Sequence, residues 1–154
     1  MNMFRMPQLD DNLKIRLSFV GDPKVESSAL KQIEGEIDSS VLKIQYNVSV
    51  IINRPESKVN VIVSMSYILG QEKLFSGSLT TGYDVVNLAS YITTPEGEDK
   101  FRIESDFLPM LINIAFSTTR GYFASELMGT VLASYPFPMI SMDNIQKRTS
   151  YQLI

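Results

Sequence analysis

The side chains in this sequence with the chemistry to act on a substrate are serines and carboxylates. Ser64, Ser66, Ser76 and Ser78 stand at two-residue spacings, so each pair falls on one face of a strand. A serine nucleophile needs a neighbouring base, most often histidine, and the 154 residues contain no histidine. They contain no cysteine either, which excludes thiol nucleophiles, disulfides and thiolate metal sites. No Gly-x-Ser-x-Gly elbow presents any of the serines, so they read as strand residues. The acidic runs Asp10-Asp11, Glu34-Gly35-Glu36 and Glu96-Gly97-Glu98-Asp99 have carboxylates for a hard cation but not the spacing of a calcium loop. Solvated loops account for them. Gly70, Gly77 and Gly82 lie within or beside strands, not in a phosphate-binding turn before a helix. The inventory predicts no enzyme and no cofactor, and leaves binding through apolar surface.

The elements that would present such a surface are visible in the periodicity. Leu13, Ile15, Leu17 and Phe19 alternate with Lys14, Arg16 and Ser18, predicting a half-buried strand that ends at the turn signal Gly21-Asp22-Pro23. Residues 23–40 show weak periodicity, with Ala29 to Ile37 open to a short helix or an irregular edge. From Val41 the alternation strengthens: Leu42, Ile44, Tyr46, Val48, Val50 and Ile52 share one face. Turn residues at 53–57 lead to a second long strand carrying Val59, Val61, Val63, Met65, Tyr67 and Leu69. After Gly70-Gln71-Glu72 the pattern continues through Phe75, Leu79, Tyr83 and Val85, with Gly77 and Gly82 as bulge or close-approach positions. An antiparallel meander follows.

A sheet with one apolar face needs a cover. Ser105 as N-cap, Asp106 at the positive helix end and Pro109 in the opening turn predict a helix over 105–128. Leu108, Leu111, Ile112, Ala115 and Thr119 form its sheet-facing stripe, and Arg120 is placed to present a cation to its later turns. Phe116, Tyr122, Phe123, Leu127 and Met128 add more apolar surface than one stripe needs, which predicts cover on a second side, as by a partner subunit. In Tyr135-Pro136-Phe137-Pro138-Met139-Ile140 two prolines exclude a regular helix or central strand, so an extended apolar arm is expected.

Composition sets the class. Apolar residues make up 44% and charged residues 20%, the usage of a folding chain and not of a disordered one. A formal charge of -3, with Lys31, Lys43, Lys58, Lys73 and Arg102 scattered, argues against a nucleic-acid footprint. The start, Met1 to Pro7 followed by Asp10 and Asp11, lacks the basic flank and apolar core of an export signal. No apolar run approaches the ~20 residues of a membrane helix. A cytoplasmic protein without membrane insertion is the expectation.

The run from Val41 to Leu88 resembles the central sheet of the export chaperone SecB: a long strand, a loop, Val59 to Tyr67, the Gly70-Gln71-Glu72 turn, Phe75 onward, and Gly82 near the end of the last strand. Leu108-Pro109 before Arg120, and Pro138-Met139-Ile140-Ser141-Met142 where that family has its proline segment, extend the resemblance to about two-thirds of the chain. It implies an α+β fold in which a four-stranded antiparallel sheet is covered on one face by a long C-terminal helix, residues 1–154 forming a single SecB-like domain. It also implies a homotetramer, a dimer of dimers, that holds unfolded or nascent client proteins in apolar grooves without nucleotide and serves protein transport. Candidate client-binding residues are Met65, Tyr67, Phe75, Tyr83, Phe137 and Met139, Met being suited to repacking around different partners. Ordinary core packing is the rival reading for each. The family's acidic residue for docking the export motor SecA aligns with Ser78, which puts that partner in doubt, and the segment 142–154 leaves room only for a short second helix or none. Both departures favour a specialised chaperone, for instance one dedicated to an antitoxin. The reading from another class is a structural or assembly subunit of a phage or mobile element, its apolar surface consumed by self-association.

Overall fold

The computed structural model describes residues 14–95, 100–103 and 106–154. Four long strands dominate: β1 (Ile15–Glu26), β2 (Leu42–Asn53), β3 (Lys58–Leu69) and β4 (Glu72–Val85). β2, β3 and β4 form the meander that the alternation predicts. The β2–β3 connection closes with Ser57 in the left-handed region (φ 53) and with Asn53 Oδ1 accepting from the Glu56 amide at 3.1 Å. Gly70, at φ 63, serves the β3–β4 turn, where a Cβ would be strained.

The expected sheet of four antiparallel strands is corrected to five strands among the described residues, one of them parallel to its neighbour. β7 (Thr149–Leu153) adds to the far edge of β2 in parallel register, Val48 opposite Thr149 and Ile52 opposite Leu153, giving the order β1-β4-β3-β2-β7. A parallel neighbour needs a long crossover, and everything between β2 and β7 supplies it. Two short strands, β5 (Ile92–Thr93) and β6 (Arg102–Ile103), pair separately.

β1 also differs from expectation. Gly21-Asp22-Pro23 does not end the strand: Asp22 takes φ 50, the register with β4 shifts between Gly21 and Lys24, and the strand continues to Glu26. The triplet is a bulge within an edge strand, where a proline without an amide hydrogen is tolerated. A second shift, between Leu17 and Phe19, places Leu17 opposite Tyr83 but Phe19 opposite Gly82, so these two side chains leave opposite faces of the sheet. The segment after β1 resolves into a four-residue helix, α1 (Ser28–Lys31), and a loop.

The covering helix, α2 (Phe107–Glu126), carries a buried stripe of Phe107, Leu108, Leu111, Ile112, Ala115, Phe116, Thr119 and Phe123 at helical spacing. Pro109 sits in the first turn, where an amide hydrogen would lack an intrahelical partner. Asp106 occupies the N-cap with no side-chain capping bond, and the predicted Ser105 cap lies outside the described residues. Arg120 is mid-helix, because the helix runs a turn and a half beyond it. Thr119 satisfies its buried hydroxyl by donating to the Ala115 carbonyl at 2.8 Å. The core lies between α2 and the sheet face that bears Val48, Val50, Ile52, Val59, Val61, Val63, Met65 and Tyr67, all at most 1% exposed. The opposite face is open and carries Asn47, Ser64, Ser66, Ser76 and Ser78 in register, Ser64 facing Ser78 and Ser66 facing Ser76.

After α2 the chain reaches Leu132, fully buried, runs through an extended segment at 135–140, and enters α3 (Met142–Lys147). Ser141 caps α3, its Oγ accepting from the Asn144 amide at 3.3 Å. The short second helix that the sequence leaves room for is therefore six residues, followed by β7.

Candidate functional site

Aromatic side chains from three elements meet beneath the extended segment. β2 contributes Tyr46, β3 contributes Tyr67, and α2 contributes Phe116; Phe137 from the segment inserts among them. Its ring lies 6.2 Å from Tyr46, 6.2 Å from Tyr67 and 5.8 Å from Phe116, all edge-on, and Tyr46 meets Phe116 at 5.6 Å. Edge-to-face rings place positive edges on negative faces, a geometry worth about 0.5–1.5 kcal/mol per pair beyond area burial. Behind the box, Tyr67 packs on Phe75 at 6.2 Å and Phe75 on Phe123 at 5.2 Å. At its rim the Arg148 guanidinium lies 5.9 Å from the centre of the Tyr46 ring, within cation–π range.

The phenol of Tyr67 donates to the Tyr135 carbonyl at 2.7 Å. Burial pushes the ionisation of this phenol up to about 12, and burial likewise raises Tyr83, whose hydroxyl donates to the Leu111 carbonyl at 3.2 Å. Both tyrosines thus behave as neutral donors that tie the sheet to elements packed on it.

A second apolar feature lies where α2 stops short of β1. A groove of about 490 Å³ is lined by Lys14, Ile15, Leu17, Tyr83, Met110, Leu111 and Ile114. Leu17 is 51% exposed and Ile114 40%. Further along β1, Val20 and Val25 are exposed on the same side as Leu17, and Phe19 is exposed on the other.

Of the six residues singled out from the sequence, Met65, Tyr67, Phe75 and Tyr83 are at most 2% exposed on the helix-covered face of the sheet, and Phe137 is buried in the aromatic box. Tyr83 also forms part of the groove floor. Met139, at 86% exposure, stands in solvent two residues beyond the Phe137 anchor. The structure brings Tyr67, Phe75 and Phe137 into ring-to-ring contact, holds Met65, opposite Tyr46 across the strands, and Tyr83 in the same buried core, and leaves Met139 outside it. Sequence reasoning missed Tyr46 and Phe116 as walls of the box and Leu17, Phe19, Val20 and Ile114 as exposed apolar side chains. Tyr46 and Phe116 were visible as members of an alternation and of an apolar excess, but nothing local says which ring meets which.

The acidic pair Glu34 and Glu36 lies in an exposed loop, whereas Asp10, Asp11 and the run at 96–99 lie outside the described residues. Among the described residues no helix is long and apolar enough to cross a membrane. No protein-family model matches the chain, and no curated protein does.

Proposed function

We propose that the chain is the subunit of a cytoplasmic, oligomeric holdase that binds unfolded or nascent clients in apolar grooves without nucleotide and does no chemistry of its own. The observation that carries this reading is the groove between β1 and α2, where Leu17 of β1 and Ile114 of α2 are exposed, beside a strand that carries four of the eleven large hydrophobic residues exposed among those described. Contiguous exposed apolar surface in a folded protein marks an interaction site. An extended client laid there would bury apolar area at ~25 cal/mol per Å² with no need for a particular sequence. The SecB resemblance of residues 41–142 and the lack of histidine and cysteine point the same way. Homo-oligomerisation, as a dimer of dimers, belongs to the same proposal; docking to SecA does not, since Ser78 replaces the acidic residue such docking uses.

One feature favours the assembly-subunit reading: β1 is a twelve-residue edge strand with apolar side chains exposed on both faces, a form suited to self-association. Light scattering coupled to size exclusion separates the two. Suppressed aggregation of a reduced, unfolded protein without ATP, with a mass increase on adding client, is the holdase outcome. An oligomer that ignores client at several-fold excess is the assembly outcome and sinks the holdase.

A further inference from the structure

The extended segment from Tyr135 to Ile140 is anchored in an unusual way for a piece of chain that covers a core. Among the described residues no backbone–backbone hydrogen bond involves residues 136–140. Pro136 and Pro138 have no amide hydrogen to offer, and the amides of Phe137, Met139 and Ile140 are not part of any ladder. Attachment rests on side chains: Phe137, 7% exposed among Tyr46, Tyr67 and Phe116, is the one fully inserted, Tyr135 and Ile140 lean partly buried on the core at the two ends, and the Tyr67 hydroxyl donates to the Tyr135 carbonyl. On either side of Phe137, Pro136, Pro138 and Met139 are exposed. The strap is fixed at its ends by Leu132, fully buried, and Ile145, 2% exposed, so it can leave the box while its flanks stay packed.

We infer that this strap is a displaceable internal occupant, and that the box it fills is a binding site for an aromatic side chain of an extended apolar polypeptide. The inference rests on the holdase reading for its biological client and adds a site separate from the β1–α2 groove. The strap itself defines the chemistry of what fits: an extended backbone, a phenyl-sized anchor, and exposed apolar residues on either side. Because the strap docks through a side chain and not a ladder, a replacement needs no hydrogen-bond register, and sequence tolerance follows. Segments with few backbone hydrogen bonds belong to the low-stability end of a structure, where local opening is least costly. A site open for only a fraction of the time binds with an affinity reduced by that fraction, so removing the internal occupant strengthens binding.

The test uses the strap sequence itself in trans. The probes are the peptide Tyr-Pro-Phe-Pro-Met-Ile and its twin with alanine in place of phenylalanine, titrated against the full chain and against Phe137→Ala, with circular dichroism reporting that the variant is folded. Phe137→Ala is expected to bind the phenylalanine peptide at least about tenfold more tightly than the unaltered chain does, and to lose that preference with the alanine twin. Because the chain has no cysteine, Met139→Cys gives a unique site for a spin label at a position 86% exposed. The label should gain mobility, saturably, as the peptide or an unfolded client is added. Client capture with an unchanged label, or a folded Phe137→Ala that binds the peptide no better than the full chain, overturns the strap. Should Phe137→Ala fail to fold, the labelled Met139→Cys decides alone. Peptide binding with label release but no suppression of aggregation would instead retain the strap and sink the holdase.

Discussion

The Tyr67 phenol is fully buried, and its ionisation is pushed up from 10.0 to about 12 by burial. The folded state therefore holds this proton where the unfolded chain has released it. The stabilisation is complete below the unfolded value near 10 and is lost as pH rises toward 12, because in that window the unfolded state binds fewer protons than the folded one. Urea midpoints should accordingly fall between pH 10 and 12, and Tyr67→Phe should flatten part of that fall while costing about 0.5–1.5 kcal/mol at pH 7 for the lost bond to Tyr135. An unchanged alkaline profile in Tyr67→Phe would assign the fall to other groups. Gly77 makes a different demand. A Cβ there would stand 2.6 Å from Phe123 Cζ and 2.9 Å from the Lys24 carbonyl oxygen, so the ring and the edge strand both press on the glycine. Gly77→Ala should destabilise by about 1–3 kcal/mol through overpacking. Gly121, on α2 with open space where its Cβ would be, is the control: alanine there should stabilise by about 0.4–1 kcal/mol. Denaturation that fails to separate the two substitutions would show that the sheet yields at Gly77. Close approach at Gly77 and Gly82 was legible as an interrupted alternation, but the partners, Phe123 for one and Phe19 with Asn60 for the other, come from elements distant in sequence.

At the scale of elements, what the sequence disclosed and what it hid follow one physical division. β2, β3 and β4 are adjacent hairpin strands, β2 and β3 with a full apolar alternation and β4 with one interrupted at its glycines, so local pattern and tertiary pairing agree. The same holds for α2, whose stripe and early proline identify it without reference to a partner. β1 was readable only to Phe19, because Gly21-Asp22-Pro23 are turn residues by every local criterion and only the nine residue pairings with β4 on either side make them a bulge. β7 was not readable. Thr149–Leu153 is five residues, mostly exposed, and its strand conformation comes from the parallel edge that β2 offers. That dependence is testable by ending the chain at Arg148. The truncated protein should lose at least about 2 kcal/mol, from the missing ladder bonds at about 0.5–1.5 kcal/mol each, and should aggregate with rising concentration because the β2 edge is uncovered. Equal urea midpoints for the two lengths would make β7 an ornament of the sheet and not part of its edge protection.

Among the described residues the sheet has two unlike edges. One is closed by short β7 with Ser150 and Gln152 on its outward face; the other is β1, twelve residues long, with Leu17, Phe19, Val20 and Val25 exposed. Long apolar edges promote strand-to-strand association unless charge, proline or bulges blunt them. β1 has Pro23 and two register shifts, which confine an uninterrupted pairing surface to part of its length. Charges are distributed with direction along it: Lys14 just before its start and Arg16, paired with Asp84 at 2.6 Å, at one end, Asp22 and Glu26 toward the other, with Lys24 the exception. An antiparallel partner related by a two-fold axis brings the basic start of one copy near the acidic end of the other, as an isologous contact requires. If β1 is where copies meet, replacing Leu17 and Val20 together by lysine puts four like charges across the two-fold while disturbing side chains that are already about half exposed in one subunit. The far-ultraviolet circular dichroism should stay unchanged and the mass by light scattering should fall by at least half, with high salt restoring part of it as the repulsion is screened. The same variant separates the two functional readings, because the substitution at Leu17 also changes the lining of the β1–α2 groove. A smaller species that no longer suppresses aggregation is the result expected if clients use the groove. A smaller species with full holdase activity would place client binding elsewhere, with the aromatic box the next candidate, and an undiminished mass would remove β1 from the assembly.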